Sequence, residues 1–142
     1  MALLNYQQHS LQKGAIVAKE VIYPEGTGPG GILSPCIRYG NLVFTAGMVG
    51  RDPKTGDMPD DIEGQSRYTL ENIKAALEAA GTSLDMVLKA SCFVADLDDR
   101  PAFNEVYKTY FSSDPPVRTC VQAGSLGPGV LIEVDVIAGI PE

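Results

Sequence analysis

Histidine is almost absent from this sequence. His9 is the one copy, and it lies in a polar N-terminal stretch, Asn5 to Lys13, that reads as solvent-facing. Without a second imidazole, serine–histidine and cysteine–histidine nucleophile systems have no base, and metal sites built on histidine have too few ligands. Cysteine is scarce as well. Cys36, Cys92 and Cys120 are odd in number, widely spaced and without a C-x-x-C, which excludes a disulfide framework and a zinc site and leaves free thiols. Basic residues are outnumbered, eleven against eighteen acidic, for a formal net charge of −7. That is the wrong sign for gripping phosphate backbones, so no nucleic-acid partner is expected. No window approaches the roughly 20 apolar residues of a membrane span. The stretch Met1 to Lys19 also lacks the basic start and apolar core of a signal peptide. A cytoplasmic protein with no membrane partner is expected. Gly26 to Gly31 is glycine-rich around Thr27 and Pro29, yet it lacks phosphate-loop spacing and reads as an irregular loop.

What remains is one compact α+β domain. Cys36 to Tyr39 and Leu42 to Ala46 are β-prone runs joined by Gly40-Asn41, a hairpin dipeptide. The turn formers Arg51 to Asp57 make an exposed loop. From Asp61 to Ala80, apolar and small residues recur at three- and four-residue steps up to Gly81, which predicts an amphipathic helix. Val87 to Val94 reads as a strand buried on both sides. A second helix follows, capped by Asp98 or Asp99, with Pro101 in its first turn and Phe103, Val106, Tyr107, Tyr110 and Phe111 as its apolar stripe. Val117 to Val121 and Leu131 to Ala138 are the last strands, predicted to pair as a hairpin across Gln122 to Val130. Their apolar faces would pack beneath the two helices, leaving the other sheet face bare for a second subunit to cover.

Within Val117 to Val121 an arginine interrupts an apolar, β-branched run. A guanidinium stays charged at any physiological pH, so a half-buried Arg118 is either paired to a protein carboxylate or reserved for a ligand's. Side chains alternate across a strand, so Arg118 and Cys120 share one face and Glu133 and Asp135 share one face of the next strand. Hairpin pairing would bring the four together, either as a permanent ion pair or as a site.

Several segments carry a family resemblance: Asn41 to Gly47, Asp52 to Gly56, Asn72 to Ala75, Phe93 to Leu97, Pro116-Val117-Arg118-Thr119-Cys120-Val121 and Ile132-Glu133-Val134-Asp135. In this order, from about Val21 to Ala138, they resemble the Rid family of reactive imine and enamine deaminases. Residues 1–20 stand outside the match as an N-terminal arm, and residues 21–142 form the Rid-like domain. The resemblance implies a chorismate-mutase-like α+β subunit of the bacillus type, assembled as a homotrimer with sites in the clefts between neighbours. It implies hydrolysis of 2-imino acids and their enamine tautomers, such as 2-aminoacrylate, to 2-keto acids and ammonia, with no metal and no cofactor. Arg118 and Glu133 would carry the reaction, with Arg118 holding the substrate carboxylate. Cys120, Gly47, Cys36, Ala46 and Asn104 would line the substrate pocket, Cys120 as a wall rather than a nucleophile. Two positions depart from the family pattern: Cys36 stands where a tyrosine is common and Ala46 where a serine is common. Both remove hydroxyls from the expected wall. A specialised deaminase or tailoring enzyme, or a trimer that binds small carboxylates without turnover, are the alternative readings; an endoribonuclease is disfavoured by the acidic charge.

Overall fold

The computed structural model describes residues 17–142. Along the chain run β1 (Lys19–Ile22), β2 (Cys36–Tyr39), β3 (Leu42–Thr45), β4 (Met48–Val49), α1 (Ile62–Ala79), β5 (Val87–Val94), α2 (Arg100–Tyr110), β6 (Val117–Gln122) and β7 (Ile132–Gly139). The expected arm therefore gives its last residues, Lys19 and Glu20, to β1, which pairs antiparallel with β2; residues 1–16 lie outside the described residues.

Local chemistry sets the element ends. Gly40 adopts φ +61° at the tip of the β2–β3 hairpin, a conformation that costs glycine little. Asp61 caps α1 by accepting a hydrogen bond from the Gly64 amide at 2.7 Å, and Gly81 follows the helix with φ +84°. The buried side of α1 includes Leu70, Ile73, Ala76 and Leu77, and that of α2 Phe103, Val106 and Tyr107. Both helices cover one sheet face. There they pack on Val43, Ala90, Val94, Ile132, Val134, Val136 and Ala138. Cys36 and Cys92, each 1% exposed, belong to the same core.

The sheet order is β1-β2-β3-β7-β5-β6, with β4 also paired to β7. The predicted hairpin of the last two strands does not form. β5 lies between them, parallel to β6 and antiparallel to β7. The reason is connectivity and composition together. α2 joins β5 to β6 as a helical crossover, which returns a strand parallel to the first. The largely apolar β5 takes the place between β7 and the edge strand β6, and the connection after β6 passes over its end. There Ala123 donates to Val94 and Ala95 to Leu131, each at 2.9 Å.

Among the described residues, nothing covers the face away from the helices. Val117, Val121 and Phe44 stand 68%, 42% and 40% exposed on it, too much apolar surface to be incidental. Among the described residues, no helix is long and apolar enough to cross a membrane.

Candidate functional site

Arg118 lies on β6, at the edge of the sheet, in register with Ala90 of β5 and, beyond it, Val136 of β7. Both are buried under the helices, so Arg118 and Cys120 face the helical side. Above them runs α2. Asn104 accepts a hydrogen bond from Arg118 Nη1 at 2.8 Å, while the guanidinium carbon lies 4.7 Å from the Tyr107 ring centre and 5.7 Å from that of Phe103. Helical spacing puts these three side chains on one flank, since residues three and four apart are neighbours. Phe103 and Tyr107 meet edge-on with centres 5.5 Å apart, and Phe111 continues the row at 4.6 Å.

No carboxylate pairs with this arginine. The ion pairs among the described residues are Arg38–Glu20 and Lys108–Glu105. An aromatic seat and a carboxamide hold the cation, and among the described residues one of its five N–H groups is occupied. A cavity of about 330 Å³ opens here, lined by Asn104, Tyr107, Phe111, Pro115 and Arg118 together with Glu105 and Lys108, which pair with each other.

Cys120 is half-buried and aligned with Cys92 on the neighbouring strand. Burial pushes the Cys92 thiol up to about 12, so it is protonated at neutral pH. Burial likewise pushes the Tyr107 phenol up to about 12, against the opposing pull of Arg118, and its hydroxyl finds no hydrogen-bond partner among the described residues.

Glu133 is elsewhere. On β7, Ile132 and Val134 enter the core, so Glu133 and Asp135 point to the open face. Arg118 and Glu133 thus lie on opposite faces with β5 between them, and the expected cluster of Arg118, Cys120, Glu133 and Asp135 does not exist within one chain. Once β5 intervenes, the parity that places Arg118 under α2 sends the acids the other way.

Gly47 belongs to the Glu133 side. Phe44 pairs with Ile137 and Met48 with Val134, so Thr45 to Gly47 bulge opposite Asp135 and Val136. The bulge lays the Gly47 backbone against the Glu133 side chain so closely that a Cβ on Gly47 would collide with the carboxylate. Ala46 adjoins, its amide donating to the Pro35 carbonyl at 2.9 Å. Cys36 does not line this place; it faces the helices as a core residue, opposite Thr45. A larger groove of about 620 Å³ runs past Gly47 between Pro24, Pro35, Met48 and the outer flank of α1, without Arg118 or Glu133 in its wall.

The expected residues therefore fall into two groups, Arg118, Cys120 and Asn104 at one edge, and Glu133, Gly47 and Ala46 on the open face. Residues 27–140 match the family model described as Endoribonuclease L-PSP. The chain belongs to the Rid family. A RutC family protein of Pyrococcus horikoshii is 46% identical over 122 residues, 84% of this chain and 97% of that one. The Escherichia coli protein named 2-iminobutanoate/2-iminopropanoate deaminase is 38% identical over 105 residues, 72% of this chain and 82% of the other. Among Rid structures, that of E. coli TdcF with bound serine superposes with a TM-score of 0.80 at 36% identity, covering 86% and 99% of the two chains.

Tyr107 and Phe103 are the site residues that sequence reasoning missed. Their helical spacing assigned them to an apolar stripe, which is where they are. The available signal was Asn104 next to Phe103 and three residues before Tyr107, all facing a strand that carries an arginine.

Proposed function

We propose that this protein hydrolyses 2-imino acids and their enamine tautomers to 2-keto acids and ammonia in clefts between identical subunits. The observation that carries this reading is Arg118, a seated guanidinium that forms no ion pair among the described residues. Its free edge suits a planar carboxylate in a bidentate pair, which would hold the imine carbon at a fixed place. Hydrolysis adds one water across C=N. Glu133 takes a proton as the water oxygen bonds to carbon and returns it to nitrogen, giving a carbinolamine; it then passes the hydroxyl proton to the same nitrogen as the C–N bond breaks, so that ammonia leaves and the carbonyl forms. An imine is already electrophilic, so a positioned carboxylate and water suffice. An enamine first gains a proton on carbon.

The division of groups argues for the cleft. Arg118 and Glu133 cannot meet one small substrate from opposite faces of the same sheet, but the Arg118 edge of one chain can meet the bare face of another. That contact joins unlike surfaces, and unlike surfaces repeat around a ring; the chorismate-mutase-like trimer is the ring the family resemblance implies. The names of the relatives agree in chemistry: the E. coli deaminase is named for two 2-imino acids, and TdcF holds serine, a small α-carboxylate. The nuclease description of the family model finds little support here, with a net charge of −7 and one histidine. Ala46 offers no hydroxyl beside Gly47, which favours an apolar substrate side chain.

Imines generated in place by an amino-acid oxidase would test the reading. Wild type should accelerate keto-acid release, while Arg118→Ala and Glu133→Gln should each lose at least about a hundredfold in kcat/KM. No acceleration with any imine would overturn it, and carboxylate binding retained without turnover would leave a binding protein.

A further inference from the structure

We propose that Tyr107 is the positioning residue that seats the Arg118 guanidinium and keeps its outer edge free for a ligand; its value to a carboxylate rests on the reading of Arg118 given above. Three observations carry the assignment. The guanidinium carbon lies 4.7 Å from the Tyr107 ring centre, within the range in which an aromatic face attracts a cation. The ring is itself fixed, 8% exposed and packed between Phe103 and Phe111. And the cation has no acidic neighbour within ion-pairing distance among the described residues.

A carboxylate in this position would neutralise Arg118 and occupy the fork that a ligand needs. Without any partner, the long arginine side chain would sample many rotamers, and binding would have to order it. A ring face meets both requirements, because it holds the cation from one side through its quadrupole and takes none of its N–H groups. Asn104 sets the remaining rotation by accepting from Nη1 at 2.8 Å. The Tyr107 hydroxyl has no part in this. It is buried with no partner among the described residues, so the seating falls to the ring.

The test separates ring from hydroxyl, and seating from turnover. In a ¹⁵N–¹H spectrum of the wild type, the Arg118 Nε–Hε signal, assigned by its loss in Arg118→Lys, should be displaced upfield by the ring current. Tyr107→Phe should keep that displacement and melt no lower than wild type, since removing an orphaned buried hydroxyl relieves a desolvation cost. Tyr107→Leu should abolish it. Calorimetric titration with pyruvate should show affinity within about twofold of wild type for Tyr107→Phe and about tenfold weaker for Tyr107→Leu, with the Phe variant as the conservative rescue. An Arg118 signal at the position of exposed arginines in wild type would overturn the proposal, whether or not the Leu variant folds. So would a Leu variant that binds pyruvate as wild type does. If wild type neither binds pyruvate nor hydrolyses any imine, the carboxylate reading of Arg118 fails, and the Nε–Hε displacement alone decides the seating.

Discussion

Two residues that do little in isolation set the geometry of the open face. Gly47 is needed because its neighbour is a carboxylate: at the bulge between β3 and β4, any Cβ would enter the space of the Glu133 side chain. Gly47→Ala should therefore push Glu133 away from its present place, at little cost in stability, because the colliding atoms are the end of a flexible, half-exposed side chain. Turnover should fall much more than pyruvate binding, because the anchor at Arg118 is untouched; a Gly47→Ala protein with unchanged kcat would show that the position of the carboxylate is immaterial. Cys92 and Cys120 illustrate the opposite case. They are aligned across neighbouring strands beneath α2, yet burial holds the Cys92 thiol protonated at neutral pH, so its role there is packing.

Among the elements, α1 does the most to brace the ground on which the site stands, and it does so through a polar residue. Gln65 is fully buried; its amide donates to the carbonyls of Pro59 and Gly129 and accepts from the Leu131 amide, each at 2.8 Å. This one side chain ties the entrance of β7, and hence Glu133, to α1. Gln65→Leu keeps the volume but leaves those backbone groups unpaired, and should destabilise the fold by about 3 kcal/mol or more in chemical unfolding. A loss below about 0.5 kcal/mol would mean that water replaces the amide. The elements themselves were legible in the sequence to a large extent. Asp61 and Gly81 bracket α1, Gly40-Asn41 turns the first hairpin, and Pro101 starts α2, because each is a local signal. Strand order was not. Nothing in Val117–Gln122 says whether its neighbour will be β5 or β7, since the pairing depends on a crossover helix and on which strand is apolar enough for the middle. That one long-range fact moved Arg118 to the helical side. The same limit hid Tyr107: its spacing announced burial correctly, and only the three-dimensional arrangement shows what it is buried against. Cys36, which the family resemblance put in the pocket wall, is a core residue in the chain itself, because its strand turns it toward the helices.

At the scale of the whole molecule, the two halves of the proposed site belong to different faces of one subunit, so they should be separable by mixing. Arg118→Ala chains retain Glu133 and Glu133→Gln chains retain Arg118. Unfolded together in equal amounts and refolded, they should restore about a quarter of the clefts, since half the edges and half the faces are intact and meet at random. Activity returning to that level, from two inactive parents, would establish a shared site; none returning in mixed assemblies would place both groups on one chain. The arginine seat carries a further consequence, which concerns time. Asn104 and Arg118 are fourteen residues apart, joined by the remainder of α2 and a short turn. Closing so small a loop costs little chain entropy, and local contacts of this kind form early. Gly47 and Glu133 are separated by most of the chain and meet only once β7 has entered the sheet. The seat of Arg118 is therefore expected to form before Glu133 reaches its place beside Gly47.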